Sequence, residues 1–323
     1  MQYAILDIGT NSVILLAARC LGSEPPAGLR EWSRITRLGQ GIARPGDRLR
    51  PEAMDRTVAA VRALLEQLCR SVPAGAGVAT ATSAVRDAAN GAEFLEQCGR
   101  ILGAPPRLLS GTEEAETAFA GAASELPPDL PAVTVDVGGG STEVAAGTAG
   151  RCEARASLPL GCVRFTEAFR LDASSGQAGI DAAVDRIRRE LRNGLPAVLA
   201  RVRRMPRPPV FVASGGTATT YAAWRLRLAP YDPDRVHGFR ESLDRLAGAV
   251  RHWLALPAAE RSRQPGVSPA RGPVLAAGLF ILFETLNFLG CNQFQVTVRG
   301  LRYGLLLALC EHRTAPDWRW PRA

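Results

Sequence analysis

A glycine-rich turn between two acidic residues, within residues 132–147, is the stretch best suited to chemistry. An apolar, β-branched run leads into Asp136, three glycines follow, and Ser141 and Thr142 precede Glu143. Three consecutive glycines cost backbone entropy, so they are typical of a sharp turn that exposes its N–H groups. Such N–H groups bind anions, and carboxylate oxygens suit a divalent cation. The stretch predicts a strand–turn–strand phosphate loop beside a metal, with a plain glycine-rich hairpin as the alternative.

The same pattern occurs near the start of the chain, in residues 4–18. Apolar residues match on both sides of the turn, and the aligned pairs are Asp7 with Asp136, Gly9 with Gly138, and Ser12 with Ser141. This second copy indicates a duplicated domain with two phosphate loops facing each other across a cleft. Chance similarity of two Asp-x-Gly strands is the less favoured explanation.

Composition limits the classes of protein that fit. The 323 residues leave room for two ordinary domains, and the 46% hydrophobic content is typical of a globular protein. The net charge is +8, and every one of the 39 strongly basic residues is arginine. Without lysine there is no Walker-type phosphate loop, so backbone N–H groups, hydroxyls and arginines must hold phosphate. The arginines are scattered, so we expect no specific nucleic-acid partner.

The cysteines and apolar segments favour a cytoplasmic protein. The seven cysteines show no C-x-x-C pairing or zinc-like spacing, which is typical of buried thiols in a reducing compartment. We find no signal peptide at the N-terminus. The longest apolar segment, Val274 to Leu289, contains Glu284 and Asn287 and predicts a core helix rather than a membrane span.

Apolar periodicity predicts an α/β protein made of two similar halves. In the first half we expect strands at 3–8, 12–18, 30–37, 76–80 and 105–109. We expect one helix at 51–70, a second that ends near 102, and a third that begins at 110. In the second half we expect strands at 132–137, 142–147, 152–158, 210–213 and 293–298, and helices at 180–203 with an interruption at Pro196, 241–256, 273–289 and 300–311. A proline-rich connector at 125–131 predicts domains at 1–124 and 132–311, followed by a tail at 312–323 whose Trp318 and Trp320 pack on the surface.

Glu114 is the candidate catalytic residue. It lies at a predicted strand-to-helix turn, from which its carboxylate could orient a water molecule for attack on phosphorus. The alternative is that Glu113 and Glu114 only stabilise the helix N-terminus, an effect worth about 0.3–1 kcal/mol.

Other polar residues could contact phosphate. Arg86 follows a strand and could clamp a phosphate group, although a solvated surface arginine fits equally well. The turn from Ser214 to Thr217 opens a helix and suits a phosphate or the edge of a nucleotide, or is an ordinary tight connection. Arg271 and Arg302 are weaker candidates. The three histidines show no metal-ligand spacing.

The chain resembles the exopolyphosphatase/guanosine pentaphosphate phosphatase family of the actin-like, sugar kinase and Hsp70 superfold. The matching segments are Asp7-Ile-Gly-Thr-Asn-Ser12, Thr80-Ala-Thr with Arg86 and Asn90, Ser110-Gly-Thr-Glu-Glu-Ala115, Asp136-Val-Gly-Gly-Gly-Ser-Thr-Glu143, Leu160-Gly-Cys-Val163 and Ala213-Ser-Gly-Gly-Thr217. The resemblance implies two ribonuclease-H-like (actin-like) domains, an active cleft between them, and removal of terminal phosphate with Mg²⁺ or another divalent cation.

The resemblance also assigns roles to individual residues. Glu114 would be the general base, and Asp136, Glu143 and Asp7 would serve the metal site. The residues expected to bind phosphate are Gly9, Thr10, Asn11, Ser12, Arg86, Gly138, Gly139, Gly140, Ser141, Thr142, Ser214, Gly215, Gly216 and Thr217.

Two departures from the family pattern concern acids of the second half. Arg271 is followed by Gly272 and Pro273 where the family commonly has Arg-Ala-Asp, and Tyr303 stands where the family often has an acid. Both losses could alter substrate preference or remove structural caps. The chain resembles the short, two-domain members, which lack the extra helical domain of longer relatives.

The favoured function is an exopolyphosphatase that shortens inorganic polyphosphate from its end. The runner-up is a guanosine pentaphosphate 5′-phosphatase with the guanosine near 214–217. A non-catalytic polyphosphate or alarmone sensor, and a kinase or ATPase of the same superfold, are the remaining alternatives. The arginine-rich helix at 180–203 could serve a homodimer, although a solvated face is the commoner explanation.

Overall fold

The structure is a computed structural model that describes residues 1–21, 24–171 and 176–321. Its strands are β1 (Gln2–Ile8), β2 (Ser12–Arg19), β3 (Ala27–Ile35), β4 (Gly75–Ala81), β5 (Arg107–Leu108), β6 (Pro131–Val137), β7 (Thr142–Thr148), β8 (Arg151–Leu158), β9 (Val210–Ser214), β10 (Arg240–Ser242), β11 (Gln293–Val296) and β12 (Trp318–Trp320). Its helices are α1 (Pro51–Ser71), α2 (Ser83–Asp87), α3 (Gly91–Leu102), α4 (Gly111–Ala122), α5 (Cys162–Phe169), α6 (Gly176–Gly194), α7 (Pro196–Arg203), α8 (Gly215–Arg225), α9 (Pro233–Val236), α10 (Leu243–Ala255), α11 (Ala258–Arg261), α12 (Gly272–Phe288) and α13 (Leu301–Cys310).

The chain forms two compact units. The first unit comprises Met1–Ser110 and the stretch from Arg302 onward, and the second comprises Gly111–Leu301. This division falls at the start of α4 and inside α13 rather than at the proline-rich connector. It does so because α4 packs against β6, β7 and β8, while β12 pairs with β4.

The two units have the same sheet plan. In the first unit the strand order is β12-β4-β1-β2-β3, with β5 beside β4, and in the second it is β10-β11-β9-β6-β7-β8. Each sheet begins with three antiparallel strands in sequence, and the first of them pairs in parallel with the next strand along the chain. The prediction of an α/β protein with two ribonuclease-H-like units is confirmed.

Amphipathic and apolar helices enclose the two cores. Pro51 opens α1 at a position where a missing N–H costs nothing, and Val61, Leu64 and Leu68 are buried at helical spacing. In the second unit α12 is buried along most of its length, as expected for a core helix. The predicted interruption at Pro196 is confirmed, since α6 ends at Gly194 and α7 begins at Pro196. Among the described residues no helix is long and apolar enough to cross a membrane.

The prediction that Trp318 and Trp320 lie on the surface is wrong. Their side chains are 5% and 4% exposed and belong to the core of the first unit. They lie in β12, which pairs antiparallel with β4, and the indole N–H of Trp320 donates to the carbonyl of Pro73 at 2.9 Å. Gly75 and Gly77 in β4 leave room for the indoles, since a Cβ there would crowd them. The last two residues of the predicted tail, 322 and 323, lie outside the described residues.

The expectation that the cysteines are dispersed thiols is wrong for one pair. Cys20, just after β2, and Cys310, at the end of α13, form a disulfide with their Cα atoms 5.5 Å apart. The two residues are 290 positions apart in the sequence, so no local spacing could indicate the pairing. The remaining cysteines, Cys69, Cys98, Cys152, Cys162 and Cys291, are free thiols.

The short C-terminal strand should contribute strongly to stability. Replacing Trp318 with Ala should lower the free energy of unfolding by about 3–5 kcal/mol, because it opens a cavity in the core. Arg319 points away from that core in the same strand and is exposed. Arg319→Ala should therefore change the free energy of unfolding by less than about 0.5 kcal/mol. Urea denaturation of both variants tests this, and similar losses would contradict the packing role of β12.

Candidate functional site

Two carboxylates lie side by side in the second unit. Asp136 at the end of β6 is directly opposite Glu143 in β7, and the two side chains, here called the carboxylate pair, share one face of the sheet. A serine on each flanking strand hydrogen-bonds one of them. The hydroxyl of Ser214 donates to Oδ2 of Asp136 at 2.8 Å, and the hydroxyl of Ser157 donates to Oε1 of Glu143 at 2.7 Å.

The carboxylate pair is a plausible place for a hard cation. Like charges directly opposite each other on neighbouring strands are destabilising, and each serine hydroxyl reduces that cost through its hydrogen bond. Within residues 1–21, 24–171 and 176–321 no group of three or more His, Cys, Asp or Glu side chains is arranged to hold a metal. Two carboxylates still suit Mg²⁺, which keeps several waters and binds through one or two carboxylates together with substrate phosphates.

The glycine loop beside the carboxylate pair is closed by its own backbone. The N–H of Gly138 donates to the carbonyl of Ser141 at 3.0 Å, and the N–H groups of Gly139 and Gly140 donate to no backbone carbonyl of the described chain. The first residue of α5 is hydrogen-bonded to the loop, since the N–H of Cys162 donates to the carbonyl of Gly138 at 2.9 Å. Burial raises the pKa of the Cys162 thiol, so this cysteine stays protonated and acts as a small apolar residue.

The hydroxyl of Thr142 donates to the carbonyl of Leu160, in the segment that leads into α5. Gly161 follows, and a Cβ at that position would overlap the backbone of Gly139 and Gly140. Thr142 and Gly161 therefore fix the loop against the segment that leads into α5.

The turn from Ser214 to Thr217 lies directly against the acid. Gly215 has a φ of +77°, and a Cβ there would overlap Oδ1 of Asp136. A Cβ on Gly216 would overlap the guanidinium of Arg271, and the hydroxyl of Thr217 donates to the carbonyl of Val137 at 2.9 Å. The turn also begins α8, whose N-terminal end carries partial positive charge. The backbone of the turn and the guanidinium of Arg271 therefore lie near the acidic end of β6.

Glu114 lies in the helix that covers the face of the carboxylate pair. Its side chain is 8% exposed, in the first turn of α4. Further along α4, Phe119 packs with Ala132 and Ala145. By strand alternation those alanines share the face of the carboxylate pair, because they precede Asp136 by four residues and follow Glu143 by two. Glu114 is therefore a buried acid on a helix that lies over that face.

The first unit contains the same loop. The N–H of Gly9 donates to the carbonyl of Ser12 at 2.9 Å, and the N–H of Gly39 reaches the carbonyl of Thr10 at 2.9 Å. The N–H groups of Thr10 and Asn11 donate to no backbone carbonyl in the described part of the chain. The Asn11 side chain is 4% exposed, and neither its oxygen nor its nitrogen has a hydrogen-bond partner among the described residues. A buried, unpaired amide is rare in folded proteins and suits a group that binds a ligand.

Asp7 has a different environment from Asp136. Its Oδ2 lies 3.6 Å from the guanidinium of Arg302, which also pairs with Glu31 at 3.1 Å. The guanidinium of Arg86, the predicted phosphate clamp, donates to the carbonyl of Leu109 at 2.8 Å. The hydroxyl of Thr10 is hydrogen-bonded to that of Ser83 at 2.9 Å.

The structure thus divides the predicted site residues between the two units. The second unit brings together Glu114, the carboxylate pair, the loop at 138–142 and the turn at 214–217. The first unit contains Asp7, the loop at 9–12 and Arg86. The roles assigned to these residues remain predictions.

The sequence motifs included Gly161, in Leu160-Gly-Cys-Val163, but gave neither Gly161 nor Gly39 a role in supporting the two loops. Gly39 and Gly161 each follow a leucine after the third strand of a meander, in the pairs Leu38-Gly39 and Leu160-Gly161. A Cβ on Gly39 would overlap the Thr10 side chain. This repeated Leu-Gly pair was a usable signal, because it recurs at the same place in both halves of the duplication.

Contact between Gly215 and Asp136 gives a testable expectation. Both Gly215 and Gly238 have positive φ, at +77° and +79°, but only Gly215 lacks space for a Cβ. Replacing either with Ala should cost about 1–2 kcal/mol through the left-handed backbone. Gly215→Ala should cost about 1–3 kcal/mol more because of steric overlap. Equal losses in urea denaturation would show that the turn is not packed on Asp136.

Comparison with known proteins identifies the family of the chain. The family model described as "Ppx/GppA phosphatase family" matches residues 23–312. Exopolyphosphatase 2 of Mycobacterium tuberculosis is 31% identical over 322 residues, which cover 95% of this chain and 98% of that protein. The crystal structure of an exopolyphosphatase-like protein is 29% identical, with a TM-score of 0.86 and coverage of 97% of this chain and 100% of that one.

A second solved structure extends the agreement. The Ppx/GppA family member of Aquifex aeolicus is 29% identical, with a TM-score of 0.77 over 98% of this chain and 99% of that one. The family model alone covers well over half of the sequence. The chain belongs to the Ppx/GppA phosphatase family, as its motifs predicted.

Proposed function

We propose that this protein is an exopolyphosphatase that releases orthophosphate from the end of inorganic polyphosphate. The observation that carries the proposal is the carboxylate pair, placed beside a loop with unused N–H donors and beneath a helix that carries a buried glutamate. The relative in Mycobacterium tuberculosis named exopolyphosphatase 2, 98% of which is covered by the match, supports the choice of substrate.

The loops would bind the phosphates. The N–H groups of Gly139 and Gly140 are the donors best suited to phosphate oxygens in the second unit, together with the N-terminal end of α8. The first unit would bind other phosphate groups of polyphosphate. Its donors would be the N–H groups of Thr10 and Asn11 and the buried side-chain amide of Asn11. Arg86 and Arg271 could add bidentate contacts, for which guanidinium geometry is suited.

Asp136 and Glu143 would hold Mg²⁺ or another divalent cation. The fit rests on the donor set, since both residues offer carboxylate oxygens and are held in orientation by serine hydroxyls. When bound, the cation would neutralise charge that develops on the phosphate oxygens during transfer. Asp7 is a less favourable ligand, because the Arg302 guanidinium already lies 3.6 Å from it.

Glu114 would act as the general base. Its carboxylate would accept a proton from a water molecule whose oxygen attacks the terminal phosphorus. The bond between that phosphorus and the bridging oxygen breaks, and the shortened polyphosphate leaves with the bridging oxygen. The products are orthophosphate and a chain one phosphate shorter. The buried position in the first turn of α4 restricts the orientations that the carboxylate can take.

The proposal predicts a large loss of activity in Glu114→Gln. This change removes the proton acceptor and keeps the shape of the side chain, so kcat for phosphate release from medium-chain polyphosphate should fall by about 100-fold or more. Glu116→Gln is the matched control on the same helix. Glu116 is half exposed and pairs with Arg155 at 3.2 Å, so its replacement should leave kcat within about twofold of the wild type.

Two further outcomes would replace the proposal. Faster release from guanosine pentaphosphate than from polyphosphate would identify the protein as a guanosine pentaphosphate 5′-phosphatase. Tight binding of either substrate without phosphate release would identify a sensor. Full activity of Glu114→Gln would show that another group accepts the proton.

A further inference from the structure

The first unit is assembled from two stretches that are distant in sequence, and a covalent bond joins them. Cys20 follows β2 in the N-terminal stretch, and Cys310 ends α13 in the C-terminal stretch. Their Cα separation of 5.5 Å lies in the usual range for a disulfide. Both side chains are buried, at 6% and 7% exposure. The disulfide therefore fixes the C-terminal end of α13 to the sheet of the first unit.

The other end of α13 is held by an ion pair. Arg302 lies 3.6 Å from Oδ2 of Asp7 in β1 and 3.1 Å from Oε2 of Glu31 in β3. Arg302 and Cys310 are eight residues apart, which is about 12 Å along a helix. A single rigid helix thus connects the disulfide to the aspartate that precedes the loop at 9–12.

The rest of the C-terminal stretch is held without covalent bonds. The Asp317 carboxylate accepts from the N–H of Ala79 at 3.1 Å and pairs with Arg107 at 2.8 Å. The β12 strand adds three residue pairs to β4. Terminal segments that are held only by non-covalent contacts can open locally without global unfolding. Local opening of the C-terminal stretch cannot break the covalent bond between Cys20 and Cys310.

We propose that Cys20 and Cys310 form a reversible, redox-sensitive disulfide that locks α13 onto the first unit and holds Arg302 on Asp7. Its formation consumes a low-molecular-weight disulfide such as glutathione disulfide. One cysteine thiolate attacks that disulfide and releases one thiol, and the second cysteine thiolate then displaces the other thiol. Two electrons pass from the two cysteines to the reagent, and two protons leave the cysteine thiols. The reverse exchange, with a thiol as reductant, reopens the lock.

Proximity directs the reaction to this pair, because the Cα atoms of Cys20 and Cys310 are 5.5 Å apart. Burial raises the pKa of the Cys98 and Cys291 thiols to about 12, and it also raises the pKa values of Cys152 and Cys162. Thiols with raised pKa react slowly, since the thiolate is the nucleophile. Cys69 is half-buried in α1 and is the natural control for reaction outside the pair.

Hydrogen exchange measured by mass spectrometry tests the lock without using activity. The wild-type protein is equilibrated in oxidising and reducing glutathione buffers, and its free thiols are counted by alkylation after unfolding. We expect about five alkylated cysteines in the oxidised form and about seven in the reduced form. Amide exchange in α13 and β12 should be at least about tenfold slower in the oxidised form, with no change in α10.

Two variants test whether the redox effect comes from the Cys20–Cys310 disulfide or from oxidation of another cysteine. Cys310→Ala should remove the redox dependence of exchange, whereas Cys69→Ala should retain it. Failure of the disulfide to form in any glutathione ratio would overturn the proposal. Formation of the disulfide with unchanged exchange in α13 would overturn it equally.

The effect on Asp7 rests on the proposed phosphatase function and has its own readout. In the active enzyme, oxidation should raise the Mg²⁺ concentration at half-maximal phosphate release by about two- to fivefold, because Arg302 held on Asp7 disfavours a cation at this weaker ligand. The Arg302→Gln variant should show no such difference between the redox states. An inactive protein that still shows the exchange difference would remove the phosphatase proposal and leave the redox lock standing. An active wild type with equal Mg²⁺ dependence in both states would remove the link to Asp7.

Discussion

Like-charge repulsion within the carboxylate pair is the main electrostatic constraint on the second unit. Register places Asp136 and Glu143 opposite each other, where two negative charges destabilise a sheet. The neighbouring groups all reduce that cost. Ser157 and Ser214 donate hydrogen bonds, and the N-terminal end of α8 brings partial positive charge to the same end of β6. The proposed cation would act in the same direction, because its positive charge between the two carboxylates reduces their repulsion further.

The close approach of glycine backbones follows from the same constraint. Gly215 lies against Asp136, and Gly216 lies against the guanidinium of Arg271. Larger residues would push the backbone donors away from the acid. Pro273 fits this arrangement because its fixed φ suits the first turn of α12, which begins at Gly272, directly after Arg271. The missing acid at that position therefore does not prevent α12 from starting beside the site.

The sequence predicted those parts of the fold and site that depend on neighbouring residues. A four-residue loop between β6 and β7 determines the register, so the positions of Asp136 and Glu143 follow from local spacing. The hydrogen-bond partner of a hydroxyl does not follow from local spacing. The Ser214 hydroxyl donates to Asp136 on a neighbouring strand, and the Thr142 hydroxyl donates to Leu160. The pairing of β12 with β4 and the Cys20–Cys310 disulfide join residues hundreds of positions apart, for which periodicity carries no information.

The duplicated units differ most at the position opposite their first acid. Glu143 pairs with Asp136, whereas Ile14 is the residue opposite Asp7. On the other side, Thr80 pairs with Asp7 as Ser214 pairs with Asp136, but the Thr80 hydroxyl has no hydrogen-bond partner among the described residues. At these positions the first unit has one acid, paired with Arg302, and the second has two acids, hydrogen-bonded by Ser214 and Ser157. Two carboxylates attract a divalent cation more strongly than one carboxylate that is already paired with a guanidinium. Under the proposed function both loops would bind phosphate, and the second carboxylate is the reason that the metal would bind in the second unit.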